Sequence, residues 1–329
     1  MLEIAARAFW RIEYQLSFRR PNHVLYAFYP ELKGVDEVRP SRDDGHFNIL
    51  MLGGSVFHPA WGQIEPALAE QLDAAGVREV RIFNMGVPAH TSRDSLLKYT
   101  ALGASRFNLV LVYHGVNDTR ANNIPPELFR SDYSHYGWYA AINAVARYHG
   151  TASFALPYTW HYAMALTMQN LHRDQYAPTH EPRPDWVQYG GNLLSVRSFE
   201  DNLTEIAAIA RARRDPLMLM TFAYHVPSTY SREAFMQKTL DYRLHRMPIE
   251  VWGRREYVTA ALAQQNEVVR HMVATHRDLL FVDQAMLMEA SAENFDDPVH
   301  FTIHGSVEFA SHVVDAIQSR LCPTSPGRC

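Results

Sequence analysis

Hydrophobic positions along this chain fall into two alternating periods. Short apolar runs at 47–52, 107–113, 217–224 and 279–282, with a more mixed one at 77–85, have the length and composition of strands buried in a sheet. Between them, apolar residues recur every three or four positions. This predicts helices near 62–75, where Ile64, Leu68 and Leu72 share a face, and near 92–102, 198–213, 254–276 and 306–320. Gly76 stops the first of these and Ser92 is placed to cap the second. Strand, helix, strand with short links argues for right-handed parallel crossovers and an α/β architecture. The first strand ends abruptly at Gly53-Gly54, and Ser55 follows at once. That puts a hydroxyl at the carboxyl edge of the sheet, where open α/β folds place their ligands.

Three stretches break the rhythm. Residues 1–16 read as an amphipathic helix with Phe9, Ile12 and Leu16 on the side that packs against the rest of the chain, and 17–45 as an irregular arm. Residues 1–45 are therefore set apart from a main unit, 46–329. That unit carries insertions at about 119–196 and 226–253. The first is rich in Tyr, Trp, Pro and His, with helix expected near 139–148 and 158–172. It leaves the sheet at the edge that carries Ser55, so it is placed to roof the site. Most of its aromatics are expected to form its own core. Trp138, Trp160 and Trp186 are the candidates for stacking against a substrate.

Composition narrows the classes. With 329 residues, 47% of them hydrophobic and 20% charged, the chain can bury a large core. A net charge of −4 gives no electrostatic case for nucleic acid. No apolar run is long enough to predict a transmembrane span, and the first twenty residues, with Glu3, Arg7, Arg11 and Glu13, do not resemble a signal peptide. The expected compartment is by default the cytoplasm. Cys322 and Cys329 leave that open, since they suit either a surface disulfide in an exported protein or two thiols in a reducing one.

Candidate chemistry collects after the strands: Ser55, Gly86, Asn117, and the pair Asp297 and His300. A serine nucleophile needs a base, the base an orienting carboxylate, and the developing oxyanion hydrogen-bond donors. Asp297 and His300, three apart around a proline, suit the carboxylate–imidazole pair. The N–H groups of Ser55 and Gly86 and the Asn117 amide are candidate donors, with glycine at 86 admitting substrate close to the main chain. Asp296 is the competing orienter, at the less suitable spacing of four. Asp118 is read as a loop carboxylate bonding backbone N–H groups. His58, His90, His114 and His225 also follow strands, but no tight spacing links them. They are read as rim residues rather than metal ligands, and no metal or cofactor is called for.

Taken in order, Gly53-Gly54-Ser55, Asn84-Met85-Gly86, Gly115-Val116-Asn117-Asp118 and Asp297-Pro298-Val299-His300 resemble the blocks of the SGNH, or GDSL, hydrolase family. The resemblance spans 47 to the final helix and leaves the arm and insertions unexplained. It implies a flavodoxin-like three-layer α/β/α sandwich with a central parallel sheet and metal-free acyl-ester hydrolysis. Ser55 would be the nucleophile, His300 the base, Asp297 its orienter, and Gly86 and Asn117 oxyanion donors. Gly54 stands where the family name has Asp. The Gly-x-Ser-x-Gly elbow of α/β-hydrolases is not met, since Phe57 occupies its last position.

The sequence thus predicts a serine esterase acting on a small-molecule or carbohydrate acyl ester, O-acetyl esters among them. Acyl transfer by the same triad is the near alternative. A non-catalytic binding module on the same fold is the alternative from another class, and the full Ser, Gly, Asn, Asp, His set argues against it. A nucleotide site is disfavoured by the lack of a phosphate-loop lysine or a Gly-x-Gly-x-x-Gly pattern.

Overall fold

A computed structural model describes residues 1–177 and 182–321. Five strands, β1 (Phe47–Gly53), β2 (Val80–Asn84), β3 (Leu109–Tyr113), β4 (Leu217–Met220) and β5 (Leu280–Val282), form one parallel sheet in the order β2-β1-β3-β4-β5. This is the doubly wound order of flavodoxin-like folds, whose ligand crevice opens beside the first strand, where the winding reverses. The α/β class and its central parallel sheet are those the sequence predicts.

Among the described residues, twelve α-helices accompany the sheet. In chain order they are α1 (Leu2–Tyr14), α2 (Leu32–Val38), α3 (Ile64–Ala74), α4 (Ser92–Ala101), α5 (Val116–Thr119) and α6 (Gly137–Ala146). Then come α7 (Leu156–Leu171), α8 (Ser195–Arg213), α9 (Arg232–Met236), α10 (Arg255–Thr275), α11 (Gln284–Leu287) and α12 (Ile303–Leu321). Alternation along β1 sends Ile49 and Met51 to one face, into a core with α3 and α12. Leu50 and Leu52 go to the other, into a core with α4, α8 and the N-terminal arm. All four are fully buried, each worth about 1.5–3 kcal/mol against exposure. This two-sided burial explains why β1 reads as an almost continuous apolar run.

Element ends depart from expectation for local reasons. The second strand starts at Val80, not 77, because Gly76 and Glu79 take positive φ and the chain turns before joining the sheet. The fourth stops at Met220 because the backbone N–H and C=O of Phe222 both pass to the Asn266 side chain. The arm is more regular than predicted, holding a 3-10 turn (Val24–Ala27) and α2.

The buried face of α1 also needs correcting. Ala6 and Trp10 are its buried residues, with Leu16 buried beyond its end, whereas Phe9 and Ile12 are exposed. Trp10 meets the rings of Tyr14, Phe28, Tyr158 and Tyr162, a larger apolar contact than Phe9 and Ile12 offer, and it turns the helix accordingly. Both cysteines fall outside the described residues.

Candidate functional site

Ser55 opens a 3-10 turn (Ser55–Phe57) directly beyond β1. Its Oγ lies 2.9 Å from His300 Nε2, 245 residues away in sequence. His300 Nδ1 lies 2.8 and 3.0 Å from the two carboxylate oxygens of Asp297. A carboxylate can only accept, so Nδ1 carries the proton and Nε2 presents its lone pair to the serine. Asp297 also accepts from the N–H groups of Val299, His300 and Met247. These contacts hold its carboxylate in place, and both Asp297 and His300 are fully buried. Asp296 turns away to pair with Arg246 at 3.1 Å, with burial raising its pKa. Of the two neighbouring carboxylates, Asp297 is the one placed against the His300 ring.

Asn117 stands on α5 beside this array. Its Nδ2 donates one hydrogen to the His90 carbonyl (2.9 Å), and its Oδ1 accepts from Trp252 Nε1 (3.0 Å). A Cβ placed on Gly54 would come within 2.7 Å of Asn117 Nδ2, so the amide rests on the backbone immediately before Ser55. The second Nδ2 hydrogen and the Ser55 N–H, which as the first residue of its turn has no acceptor within it, are therefore neighbouring donors.

Gly86 does not match its expected role. Its N–H donates to Asn84 Oδ1 at 2.8 Å, while Asn84 Nδ2 is held by the Phe57 carbonyl and Glu65. A Cβ at 86 would meet Phe57 Cβ at 2.5 Å. Glycine is required there by packing against the serine turn, and its N–H is already engaged.

Asp118, expected as a loop carboxylate bonded to backbone N–H groups, sits behind the site on α5, and only one of its three donors is a backbone N–H. It accepts from Ser92 N, Ser92 Oγ and Tyr133 OH, tying α5 to the start of α4 and to the insertion. Complete burial pushes its pKa up to about 7, against the pull of these donors. The histidines that follow strands lie in separate settings. His114 is bonded to Ser95 Oγ (2.6 Å), His225 lies against the Asp241 carbonyl, and His58 Nδ1 accepts from the Ala60 N–H. Burial lowers the pKa of His90 to about 4 and that of His114 to about 3.

A cavity of about 160 Å³ opens beside Asn117. His90 and Thr91 form one side, and Tyr136, Trp138 and Tyr139 of the insertion the other. Of the three tryptophans proposed for stacking, only Trp138 faces it. Trp186 is buried in the insertion's own cluster with Tyr133, Tyr136 and Tyr139, with the Arg183 guanidinium 4.0 Å from its ring. Trp160 is exposed on α7, and its neighbours Thr159 and His161 bond to Trp10 of α1 and to Tyr148, just beyond α6. The local reason is helical phase: Tyr158 and Tyr162 take the buried face of α7 and leave Trp160 outside.

Three further residues of the site were given no role by the sequence reading. Trp61 stacks on His300, centroids 4.4 Å apart at 27°, and Arg246 lies over Trp61 in turn. Trp252, from the second insertion, orients the Asn117 amide. Asn84 engages Gly86. An aromatic six positions after the serine was the only available hint for the first.

The chain is thus a doubly wound parallel α/β protein with a buried Ser–His–Asp array at the carboxyl edge of its sheet. No family model matches the sequence, and no curated protein does. Among solved structures it is similar to a lipase/acylhydrolase from Enterococcus faecalis (15% identity, 86% of this chain and 99% of that one, TM-score 0.45). It is also similar to a GDSL-like lipase from Bacteroides thetaiotaomicron (12%, 88% and 98%, TM-score 0.46). A third is an acetylxylan esterase from Geobacillus stearothermophilus (13%, 86% and 97%, TM-score 0.45).

Proposed function

We propose that the chain is a serine hydrolase that cleaves an O-acyl ester through an acyl-enzyme. The observation that carries this reading is the continuous buried line from Ser55 Oγ through His300 to Asp297. Ser55 Oγ attacks the ester carbonyl carbon as its proton passes to His300 Nε2, and Asp297 stabilises the imidazolium through Nδ1–H. Negative charge gathers on the carbonyl oxygen, where the Ser55 N–H and the remaining Asn117 N–H are the donors at hand. Collapse expels the alcohol, which takes the proton from His300. Water, activated by the same imidazole, then releases the acid and restores Ser55. Gly86 is left out of this donor set, because its N–H already has an acceptor.

The cavity beside Asn117 is the candidate recognition pocket. Trp138 with Tyr136 and Tyr139 gives it flat faces suited to the ring of an acetylated carbohydrate, and the two other tryptophans no longer support that substrate class. The test is Ser55→Ala, assayed on short acyl esters. The substitution removes only a hydroxyl at a turn, so hydrolysis should vanish while the unfolding midpoint stays near that of the wild type. Cleavage at the wild-type rate with alanine at 55 would refute the assignment.

A further inference from the structure

From two helices that contribute nothing to the catalytic array, we infer that the chain docks on an anionic lipid bilayer surface. Helices α1 and α7 lie side by side with their amino ends together. Glu3 accepts from the N–H groups of Ala155 and Leu156, Trp10 Nε1 donates to Thr159, and the Tyr14 and Tyr162 hydroxyls bond each other. Both helices bury one face in the same aromatic cluster, through Ala6 and Trp10 on α1 and Tyr158 and Tyr162 on α7.

The opposite faces are apolar as well. On α1, Leu2 (72% exposed), Ile4 (61%) and Ile12 (75%) stand in solvent. On α7, Trp160 (64%), Met164, Met168 and Leu171 (70%) form a stripe at helical spacing. The sixteen residues of α7 include no Asp, Glu, Lys or Arg. An exposed apolar stripe of this kind marks an interaction surface. Neither helix is long and apolar enough to cross a membrane, which leaves a face that lies in the interface, with tryptophan and long aliphatic side chains at headgroup depth.

Charge selects the occupant. Glu3 and Arg7 neutralise each other at 2.5 Å on the side facing α7. Arg11 shares a cleft at the carboxyl end of α1 with Arg19, Arg20, Lys33 and Arg39, and the acids lining the same cleft are Asp36 and Glu37, so the cations outnumber the acids there. A cationic rim on an apolar face complements anionic headgroups, within a protein whose net charge is −4. A symmetric contact between two copies of this face would instead bring the same arginines toward one another, which is unfavourable.

The experiment is flotation of the full chain with vesicles of phosphatidylcholine, with and without roughly one-quarter phosphatidylglycerol. The chain should float with the anionic vesicles, much less with the neutral ones, and less as salt is raised. Ile12→Glu with Trp160→Glu should lower the bound fraction about tenfold or more without shifting the unfolding midpoint, since both side chains are in solvent. Arg11→Glu with Arg19→Glu and Arg20→Glu should do the same. Failure of the wild type to float with anionic vesicles overturns the inference, as does flotation unchanged by the Ile12 and Trp160 substitutions. So does a sedimentation result in which the chain is a dimer that those substitutions convert to a monomer.

Discussion

Replacing Trp252 by Phe tests how the proposed oxyanion donor, the Asn117 amide, is held. The indole N–H is the partner of Asn117 Oδ1, at 3.0 Å in a fully buried setting. Phenylalanine keeps an aromatic ring beneath the Arg120 guanidinium and near His300 but removes that donor. A buried carboxamide oxygen left without a partner costs about 1–3 kcal/mol. Rotating the amide by half a turn gives no escape, because it would set Oδ1 against the His90 carbonyl that Nδ2 now faces. The amide therefore keeps one anchor of two and loses definition where charge develops. If about 1.4 kcal/mol of the penalty falls on the transition state, kcat drops about tenfold, against a hundredfold or more for removing the amide by Asn117→Ala. KM should change little, because ground-state binding does not use this donor. The assay is steady-state hydrolysis of a short soluble ester, run beside thermal unfolding. A Trp252→Phe enzyme with a lowered midpoint but unchanged kcat would show that Trp252 only packs, and the positioning argument would fail.

Other outcomes follow from the same geometry. Asp118, raised to about 7 by burial, binds a proton in the folded state that the unfolded chain has released above its ordinary carboxylate value. Its contribution to stability therefore falls as pH rises from about 4 to 7, and Asp118→Asn should remove that slope. Denaturant unfolding of both proteins at several pH values checks this, and a difference constant with pH refutes it. The buried His90 and His114 act in the opposite sense, losing stability as pH falls below about 6.5, so only the difference between the two proteins isolates Asp118. Trp186→Ala should destabilise by roughly 3–5 kcal/mol. Trp138→Ala should raise KM for a bulky ester more than for a small one, and an equal effect on both esters would remove Trp138 from recognition.

What could be read in the sequence was whatever the backbone period or a short spacing controls. Strands buried on both faces announce themselves as apolar runs, and Asp297 and His300, three apart, are brought together by one tight loop. Their approach to Ser55 follows once both lie at carboxyl ends of a parallel sheet. The roles of Trp252 and Trp61 were hidden because they depend on where an irregular segment folds back, and no period fixes that. Gly86 shows the opposite error. Glycine there suggested room for substrate, whereas the space is filled by Phe57 and the N–H by Asn84. On α1 the helix was legible but its rotation was not, since apolar residues fall on more than one side of it and the tertiary partners of Trp10 choose among them.

The central claim, that Ser55 is a nucleophile activated by His300, is tested most directly by a fluorophosphonate ester probe. Such a probe phosphonylates an activated serine, and the modified peptide can be mapped by mass spectrometry. One equivalent of label should appear on Ser55, and none when His300 is replaced by Ala. Label on a different residue, or no label on folded wild-type protein, would contradict the account.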